Sequence, residues 1–141
     1  MPIKNYTTSV DFEKTIGEIT KCLREHGVEK ITTDYTDKIP TGVTFCVNVK
    51  GTLVAFLLPA NYEGVLKSMQ NSNRVPRKMC TKEQALRVSW RIVKDWVVAQ
   101  MAIVEAEMVD MAEVFLPYAI TKNGTTLYKE IQNNGMKLLT A

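Results

Sequence analysis

The segment TKEQALRVSWRIVKDWVVAQMAIVEAEMV, residues 81–109, runs for 29 positions without a glycine or a proline. No other feature of the chain limits its fold as strongly. Thr81 followed by Gln84 has capping-box spacing, so the segment is predicted to form one helix of about 40 Å at 1.5 Å per residue. Its middle, Trp96 to Val104, is apolar almost all round. A surface helix of that kind needs a cover on its second side. The C-terminal segment or another subunit would supply it, and the expectation is a homo-oligomer.

Ahead of this helix the pattern is different. A short strand is expected over residues 2–7, then a helix from Ser9 or Asp11 to a His26-Gly27 C-cap. Phe12, Ile16, Ile19 and Leu23 give that helix one apolar stripe. Val28 to Tyr35 reads as a strand. Val43, Phe45, Val47 and Val49 alternate with polar neighbours as in a half-buried strand, and Lys50-Gly51 turns the chain into TLVAFLL, which Pro59 ends. Helices are expected over 61–69, 110–116 up to Pro117, and 127–134 up to Gly135. The class is α+β: a small N-terminal antiparallel sheet with one helix (about 1–60), followed by a helical part built on one long helix (about 61–141), in a single domain 1–141.

Length and composition agree with one folded domain. The 141 residues are 45% hydrophobic and 23% charged, ordinary values that argue against disorder. Cys22, Cys46 and Cys80 are odd in number and form no C-x-x-C pair, which points to a reducing compartment without a disulfide framework or zinc site. The N-terminus lacks an apolar leader core, and no stretch of 18 apolar residues occurs. The expectation is a cytoplasmic protein with no membrane partner.

Catalytic patterns are missing. His26 is the single histidine and sits at an expected helix end, where capping explains it better than catalysis. No H-E-x-x-H, G-x-S-x-G, G-x-x-x-x-G-K or G-x-G-x-x-G motif occurs, so neither enzyme activity nor a metal or organic cofactor is expected.

Charge is unevenly placed. Net charge is +3, yet Arg74, Arg77, Lys78, Lys82, Arg87, Arg91 and Lys94 face only Glu83 between positions 74 and 94, leaving −3 for the rest. Arg87, Arg91 and Lys94, at i, i+4, i+7, share one helix face. Stacked cations near a helix N-terminus are unfavourable until an anion or acid neutralises them, and arginine suits a phosphate. The preceding loop is expected to bring Arg74, Arg77 and Lys78 to the same end. Trp90, Phe115 and Tyr118 are candidates for stacking on a base, with core packing the competing role. An ordinary Arg91–Asp95 pair is the competing role for that arginine. If Arg87 and Arg91 contact a ligand, alanine at either position leaves folding intact.

The blocks KNYTTSV, FLLPAN, EQALRVSWRIVKDWVVAQMA, EVFLPYAI and GTTLY together resemble a family of small phage and prophage proteins, from Ile3 to about Tyr128. The layout of sheet followed by helices resembles the first type of Thoeris anti-defence proteins. That resemblance implies a phage sponge that sequesters a cyclic ADP-ribose or related cyclic-nucleotide immune signal without cleaving it, in the cytoplasm of an infected bacterial cell. Members of that family hold the ligand between subunits with arginines and an aromatic ring. Arg87 and Arg91 match such an arginine pair in type and spacing, while the aromatic position stays open among Phe56, Trp90, Phe115 and Tyr118. Two alternatives stand beside it: a phage nucleic-acid-associated protein, which needs a broader basic stripe, and a protein-interaction or inhibitor protein acting through its long helix.

Overall fold

The computed structural model describes residues 1–140; the expected span 1–141 ends one residue later, and Ala141 lies outside the described residues. The architecture is α+β. Helix α1 (Phe12–Glu25) precedes a three-stranded antiparallel meander of β1 (Lys30–Thr36), β2 (Ile39–Val49) and β3 (Thr52–Pro59). Helix α2 (Tyr62–Gln70) and a 3-10 turn (Arg77–Met79) lead into α3 (Lys82–Glu105), and α4 (Met111–Phe115), a second 3-10 turn (Leu116–Tyr118) and α5 (Leu127–Asn133) close the chain.

Both hairpin turns have two residues with positive φ, Asp37-Lys38 (51° and 68°) and Lys50-Gly51 (50° and 91°). That geometry matches the right-handed twist of the strands it joins. Asn48 Oδ1 accepts from the Gly51 N–H at 2.8 Å and pins the second turn. Between β1 and β2 the register slips at Asp34/Tyr35, so that Thr41 is an extra residue on β2. Its carbonyl accepts from Ala60 N–H at 2.8 Å. Next to it, a Cβ on Gly42 would stand 2.9 Å from the Leu58 carbonyl oxygen, so this crossing requires glycine.

One sheet face is apolar because the two-residue period puts Val43 opposite Leu58 and Phe45 opposite Phe56. All four are fully buried. On them lie Ile19 and Leu23 from α1 and Trp90, Val93, Val97 and Met101 from α3. Phe45 and Phe56 stack at 5.5 Å, and the buried ring of Phe115 meets Phe45 edge-on at 5.5 Å. A second cluster joins α2 to the other side of α3 through Val65, Met69, Val75, Ala85 and Val88.

Three sequence expectations need correction. Residues 2–7 form no strand. Asn5 has φ 67°, Tyr6 and Ile3 pack on the α2 cluster, and the Tyr6 and Thr8 carbonyls each accept from Gln84 Nε2 at 2.9 Å. The segment is a strap across the start of α3. The capping box is also incomplete: Thr81 Oγ1 accepts from the Gln84 N–H at 3.1 Å, but the Gln84 side chain is committed to the strap. Finally, α3 stops at Glu105, short of Val109. There Glu107 takes φ 59°, and its N–H and that of Met108 return to the carbonyls of Val104 and Ile103. This left-handed ending, usually made with glycine, caps the helix without one.

The C-terminal segment continues the sheet edge. Ile120 N–H donates to Ala55 at 2.8 Å, and Ala119 bridges Phe56. The 121–125 turn is held by Glu130, whose Oε1 accepts from the Thr121 and Thr125 hydroxyls and the Asn123 amide. Those bonds hold the Glu130 carboxyl below the usual range.

Packing of this kind makes a contrast measurable by urea unfolding. Met101→Ala empties a fully buried position under the sheet and is expected to cost about 2–5 kcal/mol. Leu53→Ala, on the exposed sheet face, changes stability by less than about 0.5 kcal/mol.

Candidate functional site

Arg87, Arg91 and Lys94 of α3 share one face, and that face is turned toward α1. Arg91 Nη1 donates to Glu18 Oε2 at 2.9 Å and lies 3.4 Å from Thr15 Oγ1. Lys94 Nζ is 4.0 Å from the same Glu18 oxygen, and Arg87 Nε is 4.0 Å from Asp11 Oδ1. Arg87 Nη1 also donates to Gln84 Oε1 at 2.9 Å. The side chains of Arg91 and Arg87 are 18% and 30% exposed. The anion that this face needs is therefore supplied from within, by carboxylates on α1. The Arg91–Asp95 pair, the alternative role for that arginine, does not form. Asp95 instead accepts from Asn5 Nδ2 at 2.8 Å and pairs with Lys4 at 3.1 Å.

Three of the aromatic candidates are corrected as well. Trp90 is fully buried with its Nε1–H donated to the Pro40 carbonyl at 3.3 Å, and Phe115 is enclosed by Phe45, Phe56 and Trp96. Phe56 is likewise fully buried. None of these rings offers a face to a ligand. Trp96 and Trp90, on different sides of α3, reach one core because the C-terminal segment wraps the helix: Trp96 meets Phe115 and Tyr118 edge-on at 5.8 and 5.1 Å. Tyr118 remains partly open. With Leu57, Pro59, Pro117, Thr126, Tyr128 and Lys129 it lines an apolar recess of about 340 Å³.

The cations of the 71–80 loop behave differently. Arg74, Arg77 and Lys78 are all exposed, and among the described residues none has a carboxylate within 4.0 Å. Their backbone is nonetheless well anchored. Val75 is buried in the α2 cluster beside Met79 and Cys80, Ser72 Oγ accepts from Arg74 N–H at 3.3 Å, and Pro76 opens the 3-10 turn. Beside them lies a recess of about 520 Å³ lined by Gln70, Ser72, Asn73, Val75, Arg77 and Cys80. One guanidinium, two amides and a hydroxyl can thus donate into a single space.

The sequence-predicted residues accordingly separate into three places. Arg87, Arg91 and Lys94 line the α1–α3 seam, Arg74, Arg77 and Lys78 occupy the loop, and Tyr118 belongs to the C-terminal recess. No residue lines both recesses. Gln70, Ser72 and Asn73 escaped the sequence reading, since nothing short-range distinguishes them from an ordinary polar loop. The fate of Arg87 and Arg91 did leave a signal: Asp11 at the N-cap and Glu18 within α1, seven apart, offer acids on one side of that helix.

His26, Cys22 and Asp95 have structural surroundings of their own. His26 Nδ1–H donates to the Cys22 carbonyl at 2.8 Å at the C-cap of α1, as its position predicts. Burial pushes the Cys22 thiol up, Glu25 adds to this, and Lys94 opposes it. Burial also pulls the Asp95 carboxyl upward, but the Asn5 hydrogen bond and the Lys4 ammonium outweigh it and hold the group below the usual range. Among the described residues no group of three His, Cys, Asp or Glu side chains is placed to hold a metal ion, and no helix is long and apolar enough to cross a membrane. Comparison with family models, with curated proteins and with solved structures gives no match.

Arg91→Ala leaves Glu18 without its closest partner and is expected to cost about 1–3 kcal/mol in urea unfolding, whereas Arg74→Ala and Lys78→Ala stay within about 0.5 kcal/mol. Equal effects at all three positions would contradict the assignment. For Asp95, whose folded pKa is depressed, the stabilisation is fully present above the ordinary carboxylate value of about 3.9 and is lost as pH falls through the lower native value. Protection of the 5–8 amides, measured against their intrinsic exchange rates, should therefore fall below about pH 4, and Asp95→Asn should remove that acid-dependent step.

Proposed function

We propose that this chain is a binding protein for a small phosphate-bearing ligand, held at the 71–80 loop. The observation that carries this is the contrast between two sets of cations: Arg87, Arg91 and Lys94 have carboxylate partners at Asp11 and Glu18, while Arg74, Arg77 and Lys78 face solvent unpaired beside a recess lined with donors. Arginine presents a planar fork to phosphate oxygens, and amide and hydroxyl donors can satisfy the oxygens that remain. Because Val75 fixes the loop, little ordering is required on binding.

Within that class, the cyclic ADP-ribose or cyclic-nucleotide signal implied by the resemblance to Thoeris anti-defence proteins is the ligand we favour. In this reading the protein sequesters the signal uncleaved in the host cytoplasm. The phosphates would meet Arg77 with Arg74 or Lys78. The recess supplies no aromatic wall, so affinity rests on charge and hydrogen bonds. A polynucleotide would call for a continuous basic stripe, whereas Arg74, Arg77 and Lys78 form one compact group in a single loop.

Isothermal titration with cyclic ADP-ribose isomers, cyclic dinucleotides and pyrophosphate tests this. Binding to at least one of them is expected, with the ligand recovered intact after heat release. Arg77→Ala should weaken it by about 10- to 100-fold, as expected for loss of charge-assisted hydrogen bonds. Absence of binding to all three classes, or affinity unchanged in Arg77→Ala, would refute the site, and a chemically altered ligand would refute sequestration.

A further inference from the structure

The recess beside Tyr118 is chemically unlike the one at the 71–80 loop. It holds about 340 Å³, and apart from Thr126 and Lys129 its lining is apolar or aromatic. Leu57 and Pro59 of β3 contribute one part of that lining, and Pro117, Tyr118 and Tyr128 another. A second recess of about 220 Å³ shares Pro117 and Tyr128 and is bordered further on by Ile131, Met136 and Leu139. Only one charge, the Lys129 ammonium, belongs to the two linings. The walls are fixed by hydrogen bonds: Leu127 N–H donates to the Ala119 carbonyl at 2.7 Å, and Met136 N–H to that of Ile131 at 3.0 Å. Tyr128 and Leu139 are nonetheless 49% and 63% exposed, so apolar surface stands open to water here.

We infer that the two recesses form one site for a free medium-chain carboxylic acid, its carboxylate at Lys129 and its alkyl chain running past Tyr128 into the second recess. Charge selects the head. Among the described residues Lys129 has no carboxylate within 4.0 Å. Its neighbour Glu130 is occupied by Thr121, Asn123 and Thr125. Thr126 Oγ1 accepts from Lys129 N–H at 3.4 Å and keeps its own proton to donate. One ammonium and one hydroxyl match the single charge and two oxygens of a carboxylate, whereas a phosphate dianion would keep a charge and an oxygen unanswered. Shape selects the tail. Two apolar recesses with a common border suit a chain that can lie along both, and beyond Tyr128 the lining offers nothing to a polar body. The loop recess shares no residue with either lining, so this site is separate from the phosphate site.

Two-dimensional NMR titration of the whole chain with hexanoate, octanoate and 1-octanol, below micelle-forming concentrations, measures this directly. Octanoate should shift the amides of Leu57, Tyr128 and Leu139 saturably and bind more tightly than hexanoate, by about two- to fourfold per methylene. It should also bind about fivefold more tightly than 1-octanol, and Lys129→Met should erase that difference. Leu139→Asp should weaken octanoate more than hexanoate. Both substitutions fall on exposed positions and should keep the native melting temperature. No saturable binding of octanoate, equal affinity for octanoate and 1-octanol, or indifference to Lys129→Met or Leu139→Asp would overturn the inference. Excess pyrophosphate should leave the octanoate shifts unmoved. Competition between the two would place the acid at the loop, overturning this site while leaving the phosphate reading intact.

Discussion

Burial of Trp90, Val93, Val97 and Met101 on the apolar sheet face is the interaction on which the other arrangements depend. Those four positions take one side of α3 along about three turns, and a helix this long and apolar offers more surface than one sheet can cover. The other elements are placed by what is left over. Helix α1 lies along the charged side, α2 and the 71–80 loop close the side of Ala85 and Val88, and the segment from Met111 to Tyr118 folds back over Trp96 and Val104. The N-terminal strap is fastened to the same helix at Gln84 and Asp95.

Electrostatics follows from that arrangement. A row of Arg87, Arg91 and Lys94 on a free helix would repel itself, and α1 answers it with Asp11 and Glu18 from across the seam. The pair at Arg91 is largely shielded from water, so its removal exposes an uncompensated charge. In the loop the opposite holds. Proline and a 3-10 turn fix the backbone while the cationic side chains extend into solvent, where nothing in the described chain neutralises them. The two groups of cations are neighbours in sequence and have different tasks in space.

The fold was largely legible because it rests on short-range signals. Alternation over Val43 to Val49, the Lys50-Gly51 turn, the α1 stripe and the Thr81 N-cap are each readable within a few residues. What escaped depends on distant partners. The strap at residues 2–7 is specified by Gln84 and Asp95, at least 76 positions away, and no local pattern announces it. The helix end at Glu105 escaped because a glutamate, Glu107, occupies the left-handed position that glycine usually marks. At the site, spacing placed Arg87, Arg91 and Lys94 on one face correctly. Spacing alone does not say what that face meets, and here it meets another helix of the same chain. Trp90 and Phe115 show the same limit, since an aromatic side chain that could stack on a ligand is equally suited to a core.

Within the basic segment 74–94, Arg74, Arg77 and Lys78 are free to take an anion where Arg87, Arg91 and Lys94 are not. The most direct measurement is a backbone and side-chain amide NMR titration with pyrophosphate. The account predicts shift changes concentrated at residues 70–80, including the Arg77 guanidinium and the Gln70 and Asn73 amides, with the Arg87 and Arg91 guanidinium signals unmoved. Saturable changes centred on Arg87, Arg91 and Lys94, with the loop silent, would contradict it.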